Sequence, residues 1–409
     1  MSDVFDTLSG QDEVVAELRA AVAAARRRDP AAGWEGSDAQ MVHAWLFTGP
    51  PGCGRSVAAR AFAAALQCED PDVVGCGGCR ACQTVLKGTH ADVHTLTTQG
   101  TQIVLETTRS TIHRASSRPV TGRWQVVIVE DADRLNESSG NALLKVVEEP
   151  PARTVFLLCS PTTDPQDIMV TLTSRTRHVH LRQPSAEAVE QVLLAPGSDL
   201  DPELARWAAS VSGGHIGRAR WLAADEATRA RRDLVLELPM VMHQPARAFP
   251  LAEELVRSAE EQSQTQNAEL DARESEDLAT ALGDGGTGKG SATAKRGMAG
   301  QLKKLEQTQK QRRARTARDS LDLALVDLIG FYRDALLAGV GAADVTRVHP
   351  DKASETARLG GHYRAEAVLR AIAAISRCRE SLDWNVKPKF AMSAMVGEIR
   401  EALAGSAAR

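Results

Sequence analysis

Near the start of the chain Val15, Leu18, Ala21, Val22 and Ala25 recur at helical spacing between Asp12 and Arg28. The run closes in consecutive arginines and Pro30, as helix ends often do. The pattern then changes. His43 to Thr48 (HAWLFT) is a short unbroken apolar run stopped by GPPGCG, and Val57 to Leu66 is alanine-rich and helical again, which predicts strand, glycine loop, helix. Further buried strands are predicted at Val126 to Val129 (VVIV) and Thr154 to Cys159 (TVFLLC), with a helical stretch from Ser138 to Glu148 between them. Continuous apolar strands alternating with helices predict the α/β class, with a parallel sheet covered on both faces. Beyond Arg182 the strands stop. Ala186 to Leu194, Pro202 to Val211 and Gly217 to Ala224 read as short helices of a small second unit.

Residues Ser258 to Thr316 differ in kind. They contain no aromatic residue, cluster Gly283, Gly285, Gly286, Gly288 and Gly290, and pass from an acidic block to a basic one at Lys303, Lys304, Lys310, Arg312, Arg313 and Arg315. Too few apolar residues are present to offset ordering entropy, so a flexible polar insert with helical edges is expected. The stretch Gly283 to Lys289 (GDGGTGK) spells most of a phosphate loop, but no strand precedes it and Gly290 stands where a hydroxyl should bind magnesium. The basic block reads either as a DNA contact or, more commonly for such runs, as a solvated charged helix. From Asp319 helical periodicity returns in Leu321, Leu325, Leu328 and Tyr332, in Ala365, Val368, Ile372 and Ile375, and in Phe390, Met395, Ile399 and Leu403. The expected domains are a core over 1–180, a helical lid over 181–257, the insert over 258–316 and a helical C-terminal unit over 317–409.

At 409 residues the chain exceeds what one hydrophobic core usually organises. A net charge of -4 excludes a globally basic nucleic-acid coat, so any DNA contact has to be local. The N-terminus has no signal-peptide pattern and no long apolar run follows, which places the protein in the cytosol and away from membranes.

Three constellations carry chemistry. Gly49-Pro50-Pro51-Gly52-Cys53-Gly54-Arg55-Ser56 fits the phosphate-binding loop G-x-x-x-x-G-K-[ST] except at the lysine. Such a loop takes ATP with magnesium, but the planar fork of Arg55 cannot sit as a point charge between phosphates. Val126 to Asp133 stands where a Walker B strand belongs, with the usual Asp-Glu order reversed as Glu130-Asp131. Glu130 overreaches a metal and Asp131 falls short of an attacking water, so near-attack geometry is lost. The plainer alternative is that these carboxylates cap the next helix. Finally, Cys68-x7-Cys76-x2-Cys79-x2-Cys82, with Gly75, Gly77 and Gly78 in its turns, suits tetrahedral structural zinc better than a redox pair of Cys79 and Cys82. A zinc-dependent DNA-binding module is a weaker reading, since only Arg80 and Lys87 flank the cluster.

Together with Asn141-Ala142-Leu143-Leu144-Lys145 and Glu148-Glu149-Pro150-Pro151, these features make the chain resemble the bacterial clamp-loader family of AAA+ proteins. The resemblance is strong from about Asp3 to Arg220 and weak in the C-terminal helices. It implies an AAA+ P-loop core with a zinc insert, a small helical lid and an all-helical oligomerising collar, closed by a helix similar to Trp384 to Met395. Family members open a ring-shaped sliding clamp and place it on primed DNA for the replicative polymerase. Arg55 and the reversed carboxylates resemble the delta-prime members, whose ATP sites are eroded, rather than the tau/gamma ATPase members. The family's arginine finger, which serves a neighbour's ATP site, falls on Arg175 of Ser174-Arg175-Thr176, and its sensor 2 arginine on Arg218 of GHIGRA. Implied partners are tau/gamma and delta subunits, the clamp and primer-template DNA in a hetero-oligomer. The chain itself would not polymerise DNA and would have little or no ATPase activity. An active ATPase subunit of the same loader is the alternative.

Overall fold

The computed structural model describes residues 3–27, 34, 40–98, 102–195, 197–281, 292–342, 345–384 and 386–404. Two compact units emerge, Met1–Ala224 and Asp225–Arg409. In the first, α1 (Asp12–Arg27) leads to β1 (Ala44–Thr48), α2 (Arg55–Gln67), α3 (Arg80–Leu86), β2 (Val93–Leu96), α4 (Leu105–Ala115), β3 (Gln125–Val129), α5 (Glu137–Glu148), β4 (Thr154–Ser160), α6 (Val170–Thr173) and β5 (Arg177–His180). The strands form one five-stranded sheet in the order β2-β3-β4-β1-β5, and every pairing is parallel, with Trp45 opposite Leu157 and Val126 opposite Val155.

Alternation along the strands feeds two cores. Trp45, Phe47, Val126, Ile128, Val155 and Leu157 face α1 and α2, where Leu18, Val22 and Phe62 complete one cluster. Leu46, Val127, Val129, Phe156 and Leu158 face the other way, against Ala115 of α4 and Leu143 and Val147 of α5. The sheet is thus covered on both faces, as expected for the α/β class.

Asp92, just before β2, is buried and organises the segment leading into β3. Its carboxylate accepts from the backbone N–H groups of Val120, Thr121 and Gly122 at 2.6, 2.8 and 2.7 Å and from the Thr121 hydroxyl at 2.9 Å. Burial pushes its pKa up, but these donors outweigh burial and hold it below the ordinary value. Asp92→Ala should lower stability at neutral pH by about 2 kcal/mol, because four donors lose their buried acceptor. A depressed folded pKa contributes stability above the unfolded carboxylate value of ~3.9 and loses it as pH falls through the folded value. Urea unfolding should therefore separate variant and parent at pH 7 and bring them together in strong acid.

After β5 come α7 (Ala186–Leu193), α8 (Pro202–Val211) and α9 (Ile216–Ala224), packed about Val189, Leu193, Ala208, Val211, Ala219 and Leu222. The first unit ends with these helices at Ala224, short of the 257 expected for a lid. The second unit starts with α10 (Glu226–Val241) and continues through α11 (Pro245–Ala281), α12 (Ala292–Gly339), α13 (Ala353–His362), α14 (Ala365–Asp383) and α15 (Pro388–Leu403). Residues 225–257 belong here because Val235, Leu238, Leu255 and Val256 pack with Leu325, Phe331, Tyr332, Ile375 and Ile399. Among the described residues no helix is long and apolar enough to cross a membrane.

The stretch 258–316, expected to be a flexible insert with helical edges, is helical at its described edges: α11 runs on to Ala281 and α12 begins at Ala292. Gly283 to Lys289 lies outside the described residues. The helices pair through polar groups. The Ser263 hydroxyl donates to the Arg313 carbonyl at 2.5 Å, Asn267 Nδ2 to the Thr316 hydroxyl at 3.2 Å, and Gln309 Nε2 to the Asp271 carbonyl at 3.0 Å. Arg312 bridges Asp271 and Glu274, each at 2.5 Å. Of the basic block, Arg312 and Arg313 reach acidic residues of α11 across this seam.

Candidate nucleotide site and four-cysteine cluster

The glycine loop joins β1 to α2, and Gly54, the α2 N-cap, is left-handed at φ 97. The arginine that replaces the loop lysine turns back on the loop, donating through Nη1 to the Gly49 carbonyl. Ser56, the expected magnesium ligand, is the second residue of α2, and burial raises the thiol of Cys159 in β4 above its ordinary pKa. Above the loop sits His215, which lies inside the GHIGRA motif although only Arg218 of that motif carries an expected role. A Cβ added at Gly52 would lie 2.1–2.5 Å from His215 atoms, so only glycine admits this contact. The preceding Gly213 and Gly214, at φ 61 and 76, aim the histidine at the loop and are the signal that could have found it. Burial, together with the charges of Arg218 and Arg55, lowers the His215 pKa and favours a neutral ring, whose Nδ1 accepts from the Arg218 backbone N–H at 3.1 Å. Arg218 itself is buried on α9.

Glu130 leaves the end of β3 and its Oε1 accepts from Arg60 Nη2 of α2 at 2.9 Å. This pairing was invisible in the sequence, where nothing links one arginine of an alanine-rich helix to a carboxylate far along the chain. Asp131 precedes a short turn, Ala132–Arg134, without a side-chain capping bond, and the cap of α5 is Asn136, which accepts from Ser139 N at 2.9 Å. Helix capping therefore does not account for either carboxylate. Asp133, next in line, has its pKa raised by burial and by the nearby Asp131.

Arg175 follows α6. Its Nε pairs with Glu148 Oε1 at 2.8 Å, and both side chains are 42% exposed; its Nη1 also donates to the Thr171 carbonyl at 3.1 Å. Glu148 ends α5, so the two motifs singled out in the sequence, NALLK…EEPP and Ser-Arg-Thr, meet at this ion pair.

The four cysteines converge. The sulfurs of Cys68, Cys76, Cys79 and Cys82 all lie within 4.8 Å of one another, and all are free thiols. Gly75 and Gly77, at φ 76 and 66, make the turns between them. Backbone N–H groups point inward: Cys76 N to Cys68 Sγ at 3.4 Å, Cys79 N to Cys76 Sγ at 3.3 Å and Cys82 N to Cys79 Sγ at 3.4 Å. Burial raises the Cys76 and Cys82 thiols. It also pushes Cys79 up, but the Cys82 N–H and other donors bring Cys79 down to about 7. Inward donors that favour thiolate, on sulfurs this close together, make a cluster that could hold a metal ion.

A sequence model described as "DNA polymerase III, delta subunit" matches residues 35–185. DNA polymerase III subunit delta' of Pseudomonas aeruginosa is 33% identical over 221 residues, covering 53% of this chain and 67% of that protein. The chain belongs to the clamp-loader delta' family. Delta' of Escherichia coli is 33% identical over 195 residues, 47% of this chain and 58% of its own length. The gamma/tau subunit of Mycobacterium tuberculosis is also 33% identical, over 180 residues, but the match spans 44% of this chain and only 28% of that larger protein. Coverage, rather than identity, thus sets the delta' relatives apart from the gamma/tau ones.

Proposed function

We propose that this delta' family member is a clamp-loader subunit with an inert nucleotide site of its own, which joins tau/gamma and delta subunits in a cytoplasmic hetero-oligomer and donates Arg175 to a neighbour's ATP site. The observation that carries the inert site is that the groups an active P-loop would direct at ATP and magnesium are engaged within the chain. Arg55 is bonded to Gly49 and Glu130 to Arg60, while His215 sits on Gly52. ATP would have to break each contact before gaining its own. A finger role for Arg175 is supported by its half exposure and by a single surface ion pair, worth about 0–1 kcal/mol, that a neighbouring site could displace. The cluster of Cys68, Cys76, Cys79 and Cys82 would hold structural zinc, four thiolates leaving no open position for catalysis. Work on the clamp and on primer-template DNA would fall to the complex.

The rival reading, an active ATPase subunit, is tested directly. Purified chain should hydrolyse no ATP above background, and Glu130→Ala or Asp131→Ala should change the ATPase rate of a reconstituted complex less than about twofold, since the carboxylates are not in attack geometry. Steady-state phosphate release measures both, and a drop of tenfold or more would make this chain an ATPase.

A further inference from the structure

The helical pair of α11 and α12 extends past the apolar core. The last core residue on α11 is Ala259 and the first on α12 is Leu321. The arm from Glu260 to Ala281 is about 33 Å long at ~1.5 Å per residue. On α12 the residues Lys303, Lys304, Gln307, Lys310, Gln311 and Ala314 fall within about 120° of arc and all are exposed. The opposite side of α12 is the seam, where Gln309 and Arg312 meet α11. Charge is segregated across the arm. The arginines beside the seam are countered by Asp271 and Glu274, and the exposed carboxylates Glu261, Glu269 and Glu276 belong to α11. Lys303, Lys304 and Lys310 have no ion-pair partner among the described residues, and one carboxylate, Glu306, borders their face.

We propose that this face of α12 binds the sugar-phosphate backbone of duplex nucleic acid. Protein interfaces draw their energy from buried aromatic and large aliphatic anchors, and this face has none; the nearest exposed aliphatic residue, Leu302, lies outside the arc. Phosphate contacts need cations and amide donors, which lysine and glutamine supply. Lys303 to Lys310 spans about 10 Å along the helix, or roughly three base-pair rises, so the three ammonium groups can reach different phosphates. The seam's polar pairs hold the helix that presents them. Contacts of this kind carry no base sequence, and the proposal stands on the arm alone, whatever the state of the nucleotide site.

The test is fluorescence anisotropy of the full chain with a labelled blunt duplex over a salt series. Neutralising the face with Lys303→Gln, Lys304→Gln and Lys310→Gln should reduce the slope of log affinity against log salt by about 2.7, at ~0.9 per phosphate contact, and weaken low-salt binding at least about tenfold. A charge-matched control, Arg206→Gln, Arg247→Gln and Arg358→Gln, exposed residues that are not part of the arm, should keep the parental slope. Circular dichroism and the thermal midpoint should not move for the lysine variant, since these exposed side chains make no ion pair among the described residues. An unchanged slope and affinity would overturn the proposal, as would a parent that binds no duplex at low salt. Undiminished duplex binding accompanied by loss of another loader subunit would overturn it too, and would reassign the face to a protein partner.

Discussion

Arg175→Ala should leave the chain folded and able to join its complex, yet lower the DNA-stimulated ATPase of that complex about tenfold or more. The fold should survive because the arginine's Glu148 pair is half exposed, and exposed pairs contribute about 0–1 kcal/mol. Activity should not survive. A finger in place adds positive charge where the transferred phosphoryl group becomes more negative, an effect worth ~10³–10⁵ at the site it serves. The loss for a whole complex is diluted by sites that keep their own finger. Lysine at the same position should restore little, since a point charge lacks the planar fork that binds phosphate oxygens in pairs. Steady-state ATPase rates of reconstituted complexes decide it. If Arg175→Ala is silent while Glu130→Ala is severe, the chain hydrolyses ATP itself and the proposed division of labour is wrong.

Cys76→Ser should release the metal and loosen the region around it. Cys68, Cys76 and Cys82 belong to the same apolar cluster as Val4, Phe5, Ala65 and Leu66, and the Val4 N–H donates to the Gly75 carbonyl at 3.0 Å. Loss of the cluster therefore reaches the N-terminal segment and the end of α2. Structural zinc contributes ~10 kcal/mol or more in peptides that fold only with metal. Here a packed sheet remains without it, and a loss of about 3 kcal/mol is expected, seen as a lower thermal midpoint and faster hydrogen exchange over residues 68–88. Elemental analysis should find one zinc per parental chain and none in the variant. Parent purified without chelator that carries no metal, or that carries a Cys79–Cys82 disulfide, would remove the zinc assignment.

Strands read clearly where both faces of the sheet are covered, because β1, β3 and β4 are buried along their whole lengths and hence written as unbroken apolar runs. The edge strands escaped notice. β2 (VHTL) and β5 (RHVH) are short and only partly buried, and their polar residues match no apolar template. The loop, the reversed carboxylates, the cysteines and Arg175 were all visible as local motifs. Arg60 was not, and the GHIGRA motif pointed to Arg218 rather than to His215, since Arg60 and His215 each act on a residue distant in sequence. The charged stretch has the helical edges its sequence predicts, but composition gave no sign that Arg312 and Arg313 pair with Asp271 and Glu274 between those helices.

That pairing also governs how the arm can change. Its rungs are chemically distinct: Gln262 meets Ser320, Asn267 meets Thr316 and Glu274 meets Arg312. An apolar stripe tolerates a slip of one turn, but here a slip would leave a buried amide and a guanidinium facing the wrong groups. Insertion into one helix alone is thus penalised, whereas matched insertions in both keep every rung. The arm works as a ruler graduated in helical turns of about 5.4 Å, and among relatives that carry it, gaps in the first helix should be mirrored by gaps of equal length in the second.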